Sequence, residues 1–145
     1  MLLGISPLLS PNLLFTLYCM GHGDEIVIAD ANFPGSALNK EIIRADGLEI
    51  APLLKAILPL FPLDNNPQGP VIMMSPSEGD IVDPQVEQSY SEVILSQWPE
   101  TQPFMKLERF EFYERAKKSF AILMTGETQI YANIILRKGV VKVKN

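Results

Sequence analysis

Short apolar runs alternate with helical segments along this 145-residue chain, and that alternation restricts the fold more than any other feature of the sequence. Glu25-Ile26-Val27-Ile28-Ala29 has the length and apolarity of a strand buried on both faces. Residues 71–74, 104–109, 120–124 and 131–136 read the same way, and Ile42 with Ile43 opens a further strand before the turn Asp46-Gly47. Between them lie helices with end signals. Ser10-Pro11 reads as N-cap and first helical residue, followed by Leu13, Leu14 and Leu17 at helical spacing, with Gly21 as the left-handed stop. Residues 50–58 repeat the spacing, Asp83-Pro84 opens another helix through Val86, Tyr90, Val93 and Ile94 that stops before Pro99, and residues 110–118 form a shorter one. The pattern predicts an α/β fold with a mixed sheet covered by helices.

A chain of this length buries roughly two thirds of its unfolded surface, so residues 1–145 are expected to form one domain without linkers or internal repeats. Its 47% hydrophobic and 20% charged residues, with a mean hydropathy of +0.13, exclude a disordered chain. Twelve Lys and Arg against 17 Asp and Glu give −5 and a pI near 4.8, the wrong sign for a partner made of phosphates, so no nucleic acid is expected. The charge is divided: residues 1–100 carry 3 basic and 13 acidic side chains, residues 101–145 carry 9 and 4. Two regions of opposite sign either attract each other across a subunit interface or form two solvated faces of one domain.

Cys19 stands alone and cannot form an intramolecular disulfide, so the chain either is cytoplasmic, as expected here, or has no need of oxidation. One Cys and one His give no paired metal-ligand motif, so no metal is expected. The apolar start lacks a basic leader and carries Pro7 and Pro11, which argues against a secretory signal. No stretch approaches the ~20 apolar residues that span a bilayer, so no membrane partner is expected.

The one histidine lies in Gly21-His22-Gly23-Asp24, and Asp30 ends the strand that follows. Ligand sites of α/β sheets gather at the carboxyl ends of strands, where Asp30 sits. His22 either shuttles a proton, since imidazole gives and takes one near neutrality, or bonds the open carbonyls at the end of the preceding helix. Tyr131 and Asn133 stand two apart on an expected strand, hence on one face, where they either offer a hydroxyl and an amide to a polyol or are an edge tyrosine and a turn asparagine. Arg109 is open to an ion pair with Glu108 or Glu111. Phe110, Phe112, Tyr113 and Phe120 are expected in the core, and Trp98 in packing at a helix end. No GxGxxG, GxxxxGK[ST] or GxSxG pattern occurs, so dinucleotide, P-loop and serine-hydrolase chemistry lack their backbone.

Taken in order, residues 4–11, Met20-Gly21-His22-Gly23-Asp24-Glu25-Ile26, Ala29-Asp30-Ala31-Asn32-Phe33-Pro34, Arg44-Ala45-Asp46-Gly47, Phe112-Tyr113-Glu114-Arg115-Ala116, Thr125-Gly126-Glu127 and residues 131–136 resemble the fucose mutarotase and ribose pyranase family of sugar anomer-interconverting proteins. The fucose branch is the nearer, and between Pro62 and Pro103 only Glu78-Gly79-Asp80 adds to the likeness. The resemblance implies a three-layer sandwich with a mixed, mostly parallel sheet, and a ring-like homo-oligomer, often a decamer, with a monosaccharide site between subunits. It implies His22 as proton donor, with Asp30, Arg109, Tyr131 and Asn133 binding the sugar and no cofactor. The pyranase branch tends to carry histidine where this chain has Arg109, which favours fucose. Ribose pyranase activity and a non-catalytic sugar-binding oligomer are the alternatives.

Overall fold

A computed structural model describes residues 1–66 and 68–144. Six strands form one sheet: β1 (Glu25–Ala29), β2 (Ile42–Ala45), β3 (Val71–Met74), β4 (Met105–Leu107), β5 (Ala121–Thr125) and β6 (Ile134–Arg137), in the order β2-β5-β1-β6-β3-β4. β6 pairs antiparallel with both its neighbours, β1 and β3, and the other three pairings are parallel. The helices are α1 (Pro11–Cys19), α2 (Gly35–Leu38), α3 (Ile50–Ile57), α4 (Pro84–Gln97) and α5 (Arg109–Lys118).

Strand alternation builds the layers. Ile26 and Ile28 of β1 face one side, where with Leu123, Ile134 and Leu136 they meet Leu13 and Leu17 of α1, Leu53, Leu54 and Ile57 of α3, and Tyr90 and Ile94 of α4. Val27 and Ala29 face the other side, where Ile122, Met124 and Ile135 meet Phe33 and the α5 residues Phe112 and Ala116. The central strands are buried on both faces, which is why they read as continuous apolar runs. The three-layer α/β sandwich implied by the resemblance is the observed fold.

Several ends differ from the sequence reading. Ser10 caps α1 as expected, its Oγ accepting the Leu13 N–H at 3.1 Å, but Gly21 is not the left-handed stop: α1 ends at Cys19 with Met20 extended, and the positive φ of +86° lies at Gly23. Lys138 explains the change, because its Nζ donates to the carbonyls of Leu17 and Met20 at 2.8 and 2.6 Å and so closes the helix end without a glycine. Those carbonyls are therefore not bonded by His22. Removing the Ser10 cap (Ser10→Ala) is expected to cost about 1 kcal/mol and ~2–4 °C of Tm, read by thermal unfolding.

Strand β4 is shorter than the expected 104–109, because Glu108 turns the chain into α5 by accepting the Glu111 N–H at 2.7 Å. Arg109 thereby becomes the first residue of a helix. The strand expected over 131–136 begins only at Ile134, since Tyr131 has φ +55°. Trp98 caps the end of α4 and packs on the core as expected, and Phe112 is fully buried, whereas Phe110 is two-thirds exposed and Phe120 lies at the surface. The acidic and basic regions of the chain meet within the subunit, through Glu25–Arg115, Asp64–Arg137 and Glu87–Lys106.

No helix among the described residues is long and apolar enough to cross a membrane.

Candidate active site

The parallel strands β1, β3 and β4 all end at one edge of the sheet, and the antiparallel β6 begins there. The segments after β1 and β4 and before β6 therefore converge, and with Met74 at the end of β3 they line a pocket of about 330 Å³. Asp30, Asn32, Phe33, Arg109, Tyr113, Tyr131 and Asn133 form its wall. Four of the five residues singled out from the sequence thus lie together.

Asp30 sits at the bottom, nearly fully buried. Asn133 accepts the Asp30 backbone N–H through Oδ1 at 2.8 Å, and Asp30 Oδ1 accepts the Asn32 N–H at 3.0 Å, so the Asp30 backbone is tied to Asn133 and its side chain to the loop that follows β1. Burial pushes the Asp30 carboxyl above its ordinary value, opposed by hydrogen bonds from the backbone of Asn32, Ala132 and Phe33 and from the Asn133 side chain. Beneath this loop the buried Tyr90 hydroxyl donates to the Ala132 carbonyl at 3.0 Å, and burial holds that phenol well above its ordinary range.

Tyr131 and Asn133 do not share a strand face, because the left-handed conformation of Tyr131 breaks the alternation. It brings both into the pocket nonetheless. A left-handed tyrosine is a strained choice, costing roughly 1–2 kcal/mol, and such strain gathers at functional sites. The Tyr131 hydroxyl donates to the Asp80 carboxylate and accepts the Ser77 N–H at 3.3 Å, tying the β3–α4 loop to the pocket wall. Arg109 makes neither of the ion pairs open to it from the sequence: its Nε donates to the Tyr113 hydroxyl at 3.2 Å and its guanidinium lies 5.6 Å from the ring centres of Phe110 and Tyr113.

His22 does not line this pocket. It precedes β1 while Asp30 follows it, so the length of the strand, ~16 Å, lies between them. His22 is instead mostly exposed at the opposite edge of the sheet, its Nε2 3.5 Å from Asp64 Oδ1. The sequence reading missed Phe33, Met74 and Tyr113, whose pattern is that of core residues, and Asp80, which only its place in Glu78-Gly79-Asp80 marks. No group of three or more His, Cys, Asp or Glu suited to a metal occurs among the described residues.

A pocket with one buried carboxylate, an amide, a phenol, a guanidinium and aromatic walls suits a small polyhydroxylated ligand: the polar groups take hydroxyls and the rings take the apolar face of a sugar. The model of the RbsD / FucU transport protein family matches residues 3–141. A protein of Histophilus somni named L-fucose mutarotase is 50% identical over 99% of this chain and 100% of its own. The crystal structure of a fucose mutarotase in complex with L-fucose from Streptococcus pneumoniae superposes with a TM-score of 0.91 at 45% identity, covering 97% of this chain and 100% of that one. Bacillus subtilis RbsD complexed with D-ribose is more distant, at a TM-score of 0.73 and 24% identity over 92% of this chain and 95% of its own, and shares the fold. A match over nearly the whole chain, with relatives at half identity from end to end, makes this protein a member of the RbsD / FucU transport protein family.

Proposed function

We propose that this chain is a carbohydrate isomerase that interconverts the α and β anomers of L-fucose, with the sugar held by Asp30, Arg109, Tyr131 and Asn133 and the proton moved by His22 of a neighbouring copy. The observation that carries the reading is the convergence of those four residues on one pocket in a chain half identical, end to end, to proteins named L-fucose mutarotase. The solved relative that contains L-fucose supports the same sugar. The separation of His22 from Asp30 supports a site completed between subunits of a homo-oligomer, since one copy cannot bring the two together.

The chemistry asks little of the protein. The anomeric hydroxyl gives up its proton, the C1–O5 bond breaks as C1=O1 forms, and the ring oxygen takes a proton. The open aldehyde turns about C1–C2, and the same steps reversed close it on its other face, so no atom or charge is gained or lost. His22 accepts and returns the proton, a transfer worth ~10²–10⁴ in rate when the group is placed. Asp30 holds a sugar hydroxyl from the pocket floor, Asn133 and Tyr131 hold others, and Arg109 reaches over the mouth. All four are protein side chains, and the proposal invokes no cofactor.

Saturation transfer between the anomeric protons of L-fucose, with and without the protein and repeated with D-ribose, tests the reading. Faster exchange on L-fucose is the expected result. Acceleration on ribose alone transfers the chain to pyranase chemistry, and acceleration on neither leaves a sugar-binding oligomer. Tyr131→Phe removes the bonds to Asp80 and Ser77 and one contact to the sugar. It is expected to raise KM for L-fucose about tenfold, measured by the concentration dependence of exchange.

A further inference from the structure

Residues 131–133 enter the pocket in a conformation that their side chains do not favour. Tyr131 has φ +55°, in the left-handed region that a bulky residue rarely adopts. It packs against the layer of Phe33 and Phe112, whereas its neighbour Ala132 is fully buried in the opposite layer, among the apolar residues of α1, α3 and α4. The ladder of β6 begins only at Ile134, so it does not hold either residue. The backbone here crosses from one layer to the other under strain, and something else must fix it.

The bonds that fix it come from one stretch of chain. On the pocket side, Asp80 and Ser77 of the β3–α4 loop hold the Tyr131 hydroxyl. From the other layer, the Tyr90 hydroxyl of α4 donates to the Ala132 carbonyl at 3.0 Å. Tyr90 is fully buried on the helix face that also carries Val86 and Ile94, where a phenylalanine would fill the same space. A hydroxyl is kept in such a layer only with a partner, and its partner here is a carbonyl of the strained segment. Burial, with the carboxylates of Glu127, Asp30 and Glu49, holds the phenol well above its ordinary range, so the hydroxyl stays a donor. Ala132 is thereby held on both sides: its N–H faces the Asp30 carboxyl, and its carbonyl is bonded by Tyr90. The peptide that carries this carbonyl leads directly into Asn133, whose amide oxygen accepts the Asp30 N–H.

We infer that Tyr90 is a positioning residue for the sugar pocket: its hydroxyl fixes the peptide between Ala132 and Asn133, keeps Tyr131 left-handed, and so sets the Tyr131 hydroxyl and the Asn133 amide against Asp30. The inference rests on the proposal that these three residues hold the sugar. Without the hydroxyl, the Ala132 carbonyl is left unbonded in an apolar layer. The segment then gains by turning that carbonyl away, which releases the strain at Tyr131 and moves both side chains.

The test measures L-fucose anomer exchange over a range of sugar concentrations, together with Tm, for wild type, Tyr90→Phe and Ile94→Ala. Ile94 lies one turn further along the same face of α4 and is fully buried, so its truncation loosens the helix while leaving the Tyr90 hydroxyl in place. Both variants are expected to lower Tm, Ile94→Ala the more. Tyr90→Phe alone is expected to raise KM on the order of tenfold with kcat within about twofold of wild type. The ¹³C signal of the Asp30 carboxyl, identified by its loss in Asp30→Asn, gives a second readout. Its titration midpoint should move further up in Tyr90→Phe, where the Ala132 N–H supports the charged form less, and stay in place in Ile94→Ala. The other groups that face this carboxyl, the backbone of Asn32 and Phe33 and the Asn133 amide, are present in both variants. A wild-type KM in Tyr90→Phe, when wild type accelerates exchange, overturns the inference and leaves the proposed function standing. An equal rise in KM in Ile94→Ala makes the effect a general loosening of α4 and overturns it too, as does a raised KM with the Asp30 midpoint unmoved. Wild type that does not accelerate exchange on L-fucose removes the proposed function and this inference together. Should Tyr90→Phe fail to fold, Tyr90→Met, which also lacks the hydroxyl and fills the space with a flexible chain, decides on the same readouts.

Discussion

His22→Ala is expected to slow L-fucose anomer exchange on the order of 10²–10⁴-fold while leaving Tm where it is. The two halves of that expectation have different sources. On the proposed reading the rate falls because imidazole is the side chain that both takes and gives a proton near neutrality, while Asp30, Arg109, Tyr131 and Asn133 are proposed to hold the sugar. The stability holds because His22 is mostly exposed, contributes nothing to either apolar layer, and leaves the closure of α1 to Lys138. A large loss of Tm in this variant would mean that the residue props up the fold and that any rate loss is indirect.

Asp30→Asn is expected to lower kcat/KM about 10- to 100-fold and yet to raise Tm, or leave it unchanged, at pH 7. Among the described residues Asp30 is the one carboxylate in the pocket lining, and an amide in its place would bond the proposed sugar hydroxyl more weakly. Its stability effect follows from burial, which raises the Asp30 carboxyl above its ordinary value of 3.8. The folded protein therefore holds that proton more tightly than the unfolded chain does. Stability linked to the group is fully present below the unfolded value and is lost as pH rises through the raised folded one. At neutral pH the wild type carries a desolvated charge that the asparagine variant lacks. Thermal unfolding of both proteins from pH 3 to 8 should show the gap in Tm opening as pH rises and closing at the acid end. A constant gap would place the difference in packing rather than in charge.

The elements of this fold were legible because their signals are local. Ser10-Pro11 and Asp83-Pro84 mark helix starts by chemistry that operates within three residues, and the central strands announce burial on both faces by unbroken apolarity. What the sequence hid depends on partners far along the chain. Gly21 had the look of a helix stop until Lys138, more than a hundred residues on, took the carbonyls. Tyr131 and Asn133 line one pocket, but not by the alternating strand that the spacing predicts: a left-handed tyrosine supplies the convergence instead.

The separation of His22 from Asp30 is of the same kind. Eight residues apart in sequence, they look adjacent, and a five-residue strand puts them at opposite edges of the sheet. The resemblance to sugar anomer-interconverting proteins named both residues, and only the direction of β1 shows that within one subunit they lie at its opposite ends.

That geometry makes subunit complementation the most direct measurement. His22→Ala and Asp30→Asn chains, each far slower than wild type alone, are unfolded together in equal amounts, refolded, and assayed for L-fucose anomer exchange. A site completed between copies is expected to recover roughly a quarter of wild-type activity, because random mixing pairs an intact Asp30 with a neighbour's intact His22 at that frequency. Exchange no faster than the average of the two separate variants would contradict the account.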